Sequence, residues 1–527
     1  MRRLLPLLVL TAACASAPPP GPVAPNTAAP ASSTPPPALS SEKPKAKPEP
    51  VVPAAVPPPP PVCATLVAHP TGCTGQATFR AALADALAVD DAVARDAKLA
   101  CLETSEDAPP GVLRALRAEL ALEACADALV TPVLQAPPKG MTPEVEQTML
   151  GLLIAGRLSR LLDQPPLLEP PVTKERFQPY FAEKLAPWVL SEAAAIEKLS
   201  TDGARLSGYG RGVAAIAAGY ADLRFVEMVR QVPLPEEMKA DKAVSDAYYG
   251  ELDQALDPRK TRGRDAALVG LHTFAELGAL TDARVVRARE LLNRLWAGSR
   301  IDSLDRLLLP PLEPLDTSTP ELALAARLPT FYAKLLLSDR DPAEPKFLRA
   351  LLERGVPGPF RTKLGVAKLG VPARVLYARA LVGGGRQYFH AGYFKTARTL
   401  LGAEKTNDTG ALLGGIALAL ENGPADVAEL MLKGPFVRGT GDVSELDAEA
   451  QKHGRFAGYA AFDAALVVEL APATDDPLFW EKLAARFDKA EKLLSAAALP
   501  DAGVSAHAAH DHAVAARATA LAIRAKH

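Results

Sequence analysis

The sequence predicts an all-α protein, an α-solenoid of stacked helical hairpins behind a proline-rich tether. Three observations carry that expectation. Alanine and leucine dominate after residue 62, and Val/Ile/Thr runs alternating with period two are almost absent. Helix starts and stops are legible as Thr or Asp caps, first-turn prolines and terminal glycines. The helices follow one another through short Pro/Gly turns, as they do in arrays whose units bury their apolar faces on their neighbours.

The chain opens with Arg2-Arg3, an apolar run from Leu4 to Ala13, and the small pair Ala12-Ala13 before Cys14. This is the layout of a secretory signal. The run is too short to cross a bilayer, which takes about 20 apolar residues. Leu10 stands four residues before Cys14, with Thr11 next to it. The segment resembles the lipobox of bacterial lipoproteins, although Thr11 takes a position where that family prefers Leu. The resemblance implies that residues 1–13 are removed, that the Cys14 thiol carries a diacylglyceryl group, and that its freed amine is acylated. Ala15 is not the aspartate that retains many such proteins at the inner membrane. The resemblance therefore implies a lipid-anchored protein of the cell envelope, on the outer membrane facing the periplasm. One acyl chain holds a membrane marginally and two hold it stably.

Residues 14–62 read as the lipidated cysteine and a disordered linker with 18 prolines. Few large apolar groups are present, so no core can form. Proline biases the segment to an extended polyproline-II path, at about 3.1 Å per residue. The linker then spaces the body from the membrane by up to roughly 150 Å. Lys43, Lys45 and Lys47 belong to this solvated stretch.

The body reads as an N-terminal helical domain, 63–312, and a C-terminal helical domain, 313–527. The boundary is Leu309-Pro310-Pro311-Leu312-Glu313-Pro314. The body has five more acidic than basic residues, so no global field favours nucleic acid. Cys63, Cys73, Cys101 and Cys125 form an even set in an exported chain, which suggests two disulfides. Short loops favour Cys63–Cys73 and Cys101–Cys125.

Helices are expected from Thr78 to Leu87, Asp91 to Leu102, Pro109 to Leu129, and Thr142 to about Leu162. Thr173 caps the next, Pro187 restarts one that ends near Thr201, and residues 204–230 form another. Pro235 opens the following helix. In 281–298, Asp282 is the cap, Val285, Ala288, Leu292 and Leu295 form the apolar stripe, and Gly298 is the expected terminator. Thr319-Pro320-Glu321 starts the second half.

Gly385, Tyr388, Gly392, Phe394 and Ala397 fall at offsets that resemble the tetratricopeptide repeat. Gly423 and Ala428 repeat part of the spacing, and Phe487 with Ala490 a further part. The early large aromatic and the closing proline of that repeat are missing. The resemblance implies a tetratricopeptide-like C-terminal half whose concave face binds peptides or partner proteins.

Asp257-Pro258-Arg259-Lys260-Thr261-Arg262-Gly263-Arg264-Asp265 is the richest polar cluster. Read as a turn leading into a helix start, it makes Arg259, Arg262 and Arg264 candidates for contact with an anion or an acidic partner. His507, His510 and Asp511 are three and four residues apart on a helix and form a weak candidate metal set. Gly208-Tyr209-Gly210-Arg211-Gly212 follows no strand and lacks the phosphate lysine, so it is expected to ease helix packing. No nucleophile–base motif and no cofactor fingerprint are present. The expected function is a non-enzymatic, membrane-tethered scaffold that binds another envelope protein or peptide. The alternatives are an envelope enzyme or glycan-acting all-α domain, and a purely structural envelope component.

Overall fold

The computed structural model describes residues 53–67, 73, 78–161, 165–293, 301–340, 344–355, 369–402, 407–424, 429, 442–452, 454–471 and 474–526. Cys14 and most of the tether lie outside them. The chain is all-α and solenoid-like, and no strand occurs among the described residues. No helix among them is long and apolar enough to cross a membrane.

In chain order the helices are α1 (Val62–Val67), α2 (Phe79–Leu87), α3 (Ala92–Leu102), α4 (Val112–Leu120), α5 (Ala126–Gln135), α6 (Pro143–Arg160) and α7 (Lys174–Tyr180). They continue as α8 (Ala186–Ala204), α9 (Gly208–Arg230), α10 (Glu236–Ala240), α11 (Lys242–Leu277), α12 (Ala283–Leu292), α13 (Pro320–Arg327) and α14 (Thr330–Leu336). The remainder are α15 (Pro345–Arg354), α16 (Val371–Tyr388), α17 (Ala391–Leu401), α18 (Asp408–Leu420), α19 (Ser444–Gln451), α20 (Ala457–Glu469), α21 (Pro477–Ser495) and α22 (Ala502–Lys526). The expected caps Thr78, Asp91, Thr142, Asp282 and Thr319 each accept a backbone N–H of their own first turn. Gly298 and Ala428 lie outside the described residues.

Two expected elements differ. Pro109 to Leu129 is not one helix: α4 ends at Leu120 and a 3₁₀ turn at Glu123–Cys125 precedes α5. Ala121 is extended there, and the break places Cys125 opposite Cys63. The cluster 257–265 is not a turn either. It lies inside α11, a 36-residue helix that continues through Pro258.

The chain gathers into two compact units. One comprises Gln164–Ala195, Phe225–Thr261 and the stretch ending at Ala55; the other comprises Val56–Asp163, Ile196–Arg224 and Arg262–His527. The expected boundary at 312/313 falls inside the second. In the first unit Trp188 stacks on Phe225 at 5.7 Å, and Phe177 meets the Tyr248 ring at 6.4 Å. Burial pushes the Tyr248 hydroxyl up to about 12.

In the second unit glycines let helices touch backbone to backbone. A Cβ at Gly210 would stand 1.9 Å from the Gln147 carbonyl oxygen of α6, and one at Gly219 would stand 2.7 Å from the Ala267 nitrogen of α11. The glycine-rich stretch from 208 is thus the seam between α9 and its neighbours. The disulfides are Cys63–Cys125 and Cys73–Cys101, not the short-loop pairs expected. Packing of α1 against α3 and α5 outweighs the entropic preference for short loops.

Replacing Gly210 by alanine is expected to cost about 3 kcal/mol or more, because its neighbour is backbone that cannot rotate away. Urea unfolding of the variant reads this directly. Replacing Cys63 and Cys125 together by serine removes a 62-residue cross-link and should cost about 4 kcal/mol in the same measurement.

Candidate binding groove

The segment read as a domain boundary at 309–314 is a strap laid along helices. Residues 308–317 form no helix or strand, so their carbonyls need partners outside regular structure. Arginines supply two of them, at Pro310 and Glu313, and hold the carbonyls just before the strap. Arg386 Nη1 donates to Asp305 O at 3.4 Å and to Leu307 O at 3.2 Å. Arg379 Nε donates to Pro310 O at 2.7 Å. Arg349 donates to Glu313 O, and its Nη1 reaches the Glu313 carboxylate at 3.3 Å. Asp463 of α20 accepts from Leu308 N at 2.8 Å.

Sequence places the donors. Arg379 and Arg386 lie seven residues apart, two turns, on one face of α16. Arg349 comes from α15. The N-cap of α16 is Gly370, and its far end turns through Phe389 at φ 52 into α17. Gly385 and Phe394 meet across that hairpin, where a Cβ on the glycine would lie 2.7 Å from the ring. Tyr388 donates to Ala279 O at 2.7 Å, and Ala397 is fully buried. The five residues of the repeat-like signature therefore lie in one helical hairpin, with its small-against-large contact in place. Phe487 packs against Phe462 and His512 elsewhere in the same unit.

A cavity of about 320 Å³ opens between strap and helices, lined by Arg349, Arg379, Arg386, Glu353 and several leucines. Burial pushes Arg379 down to about 10, reinforced by the charges of Arg386 and Arg349 and opposed by Glu353. Burial lowers Arg386 as well. The buried Asp463 carboxyl is pushed well up by desolvation, which the Leu308 amide and the Arg386 charge only partly oppose.

The residues singled out in the sequence go elsewhere. Arg259 is buried in the first unit, donates to Ala193 O at 2.8 Å and lies over the Phe225 ring. Arg262 grips the fully buried Asp222 with two bonds of 2.7 and 2.5 Å. Arg264 pairs with its neighbour Asp265. They sit in mid-helix, so the helix start on which an anion site depended is absent. His507 approaches Asp511 at 3.8 Å, whereas His510 turns to Glu491 at 3.3 Å and His512 to Glu469 at 2.9 Å. The helix face that would share a metal is thus divided between partners, and no group of three metal-ligating side chains stands together among the described residues. Sequence reading missed Arg349, Arg379 and Arg386, which come from two different helices. The available signal was two arginines at seven-residue spacing, Arg379 and Arg386, in a helix whose other residues are mostly small or apolar.

A second polar centre lies deeper. Arg284 of α12 bonds Glu119 of α4, both almost fully buried, and Tyr209 of α9 donates to the same carboxylate at 3.0 Å. Tyr332 of α14 donates to its other oxygen at 3.5 Å. Burial pushes the Glu119 carboxyl up against the pull of Arg284. The Tyr209 ring stacks on Phe331 at 4.6 Å. This centre ties four helices together.

No protein-family model matches the chain, and neither a curated protein nor a solved structure matches it significantly.

Two outcomes follow from these charges. Glu119→Gln takes from the buried Arg284 its closest countercharge, leaving only Glu123 and Asp282 at 3.9 and 4.0 Å, and should cost about 3 kcal/mol, whereas Glu119→Leu with Arg284→Met should cost less; chemical denaturation separates them. Asp463 has a folded pKa above its unfolded value, so its contribution is most favourable in acid and declines as pH rises above 3.8. Asp463→Asn can keep the Leu308 bond. It should therefore stabilise the protein at neutral pH by about 1 kcal/mol or more, a gain that shrinks toward pH 4 in a melting series.

Proposed function

We propose that the protein is a non-enzymatic, membrane-anchored scaffold of the cell envelope whose groove along α16 receives an extended segment of another envelope protein. The observation that carries this is the strap. Backbone carbonyls just before it and along it are held in order by Arg386, Arg379 and Arg349, so the groove already has the chemistry that holds extended chain. The likeness of the α16–α17 hairpin residues to the tetratricopeptide repeat supports the same reading, since that family uses such faces for peptides. The lipobox-like start supports acylation at Cys14 and an outer-membrane site facing the periplasm. The proline-rich stretch after it gives the body reach.

In cells, in-situ cross-linking followed by purification from membranes should recover a discrete partner with the natural chain. Arg379→Gln with Arg386→Gln should reduce that recovery several-fold. Cys14→Ser should move the protein out of the lipid-anchored membrane fraction. Recovery that the arginine substitutions leave untouched would count against the groove, and unchanged fractionation would count against the anchor.

A further inference from the structure

The cavity beside the strap has a charge balance that the strap does not complete. Three guanidinium groups line it against one carboxylate, Glu353. Arg349 has the exposed Glu313 at 3.3 Å. Arg379 and Arg386 have no carboxylate within ion-pair distance among the described residues. Arg379 spends only Nε, on Pro310 O, and its two terminal nitrogens have no hydrogen-bond partner among the described residues. Those two nitrogens are a fork that matches the two oxygens of a carboxylate. Arg386 spends Nη1 on the carbonyls of Asp305 and Leu307, just before the strap, and keeps Nε and Nη2.

Apart from Thr281 and Gln387, the rest of the wall is apolar: Leu309 and Leu312 from the strap, Leu352 from α15, and Leu376 and Ala380 from α16. Gly383 completes it, and a Cβ there would meet nothing within 4 Å, so the space beyond it is open. A volume of about 320 Å³ is within the range of small-molecule sites. An inorganic anion would use the arginines and waste the leucines. An uncharged apolar molecule would leave the guanidinium groups facing it without an anion.

We propose that this cavity is a binding site for a small organic carboxylate with an apolar body of several carbons, its carboxylate on Arg379 and Arg386 and its chain against the leucine wall. The site goes beyond the protein-docking reading. Failure to recover a protein partner leaves it standing, and its own failure leaves partner recovery unchanged.

The test is calorimetric titration of the full chain in detergent with hexanoate, hexanamide, acetate and inorganic phosphate. Hexanoate should bind at least about tenfold more tightly than hexanamide, acetate or phosphate. Gly383→Leu fills the cavity and leaves every arginine in place. It should weaken hexanoate binding at least about tenfold while the protein melts no lower than the natural chain, since leucine replaces glycine inside a helix. Arg379→Gln should weaken it similarly. Equal binding of acid and amide, tighter binding of phosphate, or undiminished hexanoate binding in folded Gly383→Leu would each overturn the assignment.

Discussion

An extended, proline-rich segment laid on an all-helical body brings carbonyls that no helix or sheet can satisfy. Proline removes the donor that might pair the segment with itself, and buried carbonyls must find donors elsewhere. In this protein arginine meets that constraint repeatedly. Arg386, Arg379 and Arg349 hold the strap. Arg160, already paired with the buried Asp127, donates through Nε to Pro57 O at 2.7 Å and fixes the base of the tether. Arg117, paired with Asp96, donates to Leu66 O at 2.5 Å and fixes α1 beside it. A guanidinium can serve a carboxylate and a carbonyl at once because its donors fan out in a plane. Where the carboxylate partner is present, as with Arg160, the site is closed. Where it is missing, as with Arg379, donors remain over a cavity.

The groove depends on a frame that does not shift. The Glu119–Arg284 pair ties α4, α9, α12 and α14 at one point, and removing either charge would leave the other stranded. The glycine seams at Gly151, Gly210, Gly219 and Gly263 bring α6, α9 and α11 so close that side chains cannot intervene. The Cys63–Cys125 and Cys73–Cys101 bridges close the N-terminal helices, which pack few large side chains of their own. The proposed function therefore falls on residues outside that frame: the strap and the face of α16 beside it.

Local signals were legible and distant ones were not. Thr78, Asp91, Thr142, Asp282 and Thr319 could be read as caps because the hydrogen bond each makes is two or three residues away. The glycines after Ser207 could be read as packing residues because no strand precedes them. The passage of α11 through Pro258 could not be read, since its support comes from Ala193, Glu197 and Asp222, about 40 residues or more upstream. The disulfide partners depended on how α1 packs. The strap had the composition of a linker, and only the arginines 36 to 81 residues further along make it part of the proposed site. The arginines clustered in sequence at 259–264 serve the fold, whereas the proposed site rests on three that the fold assembles.

The central claim is that the face of α16 beside the strap is where this scaffold meets its partner. A photo-reactive amino acid at position 383, compared with one at the exposed Leu521 of α22, tests it most directly in cells. The account predicts one discrete adduct from position 383 and none from 521. Equal labelling from both positions, or an adduct from 521 alone, would contradict it.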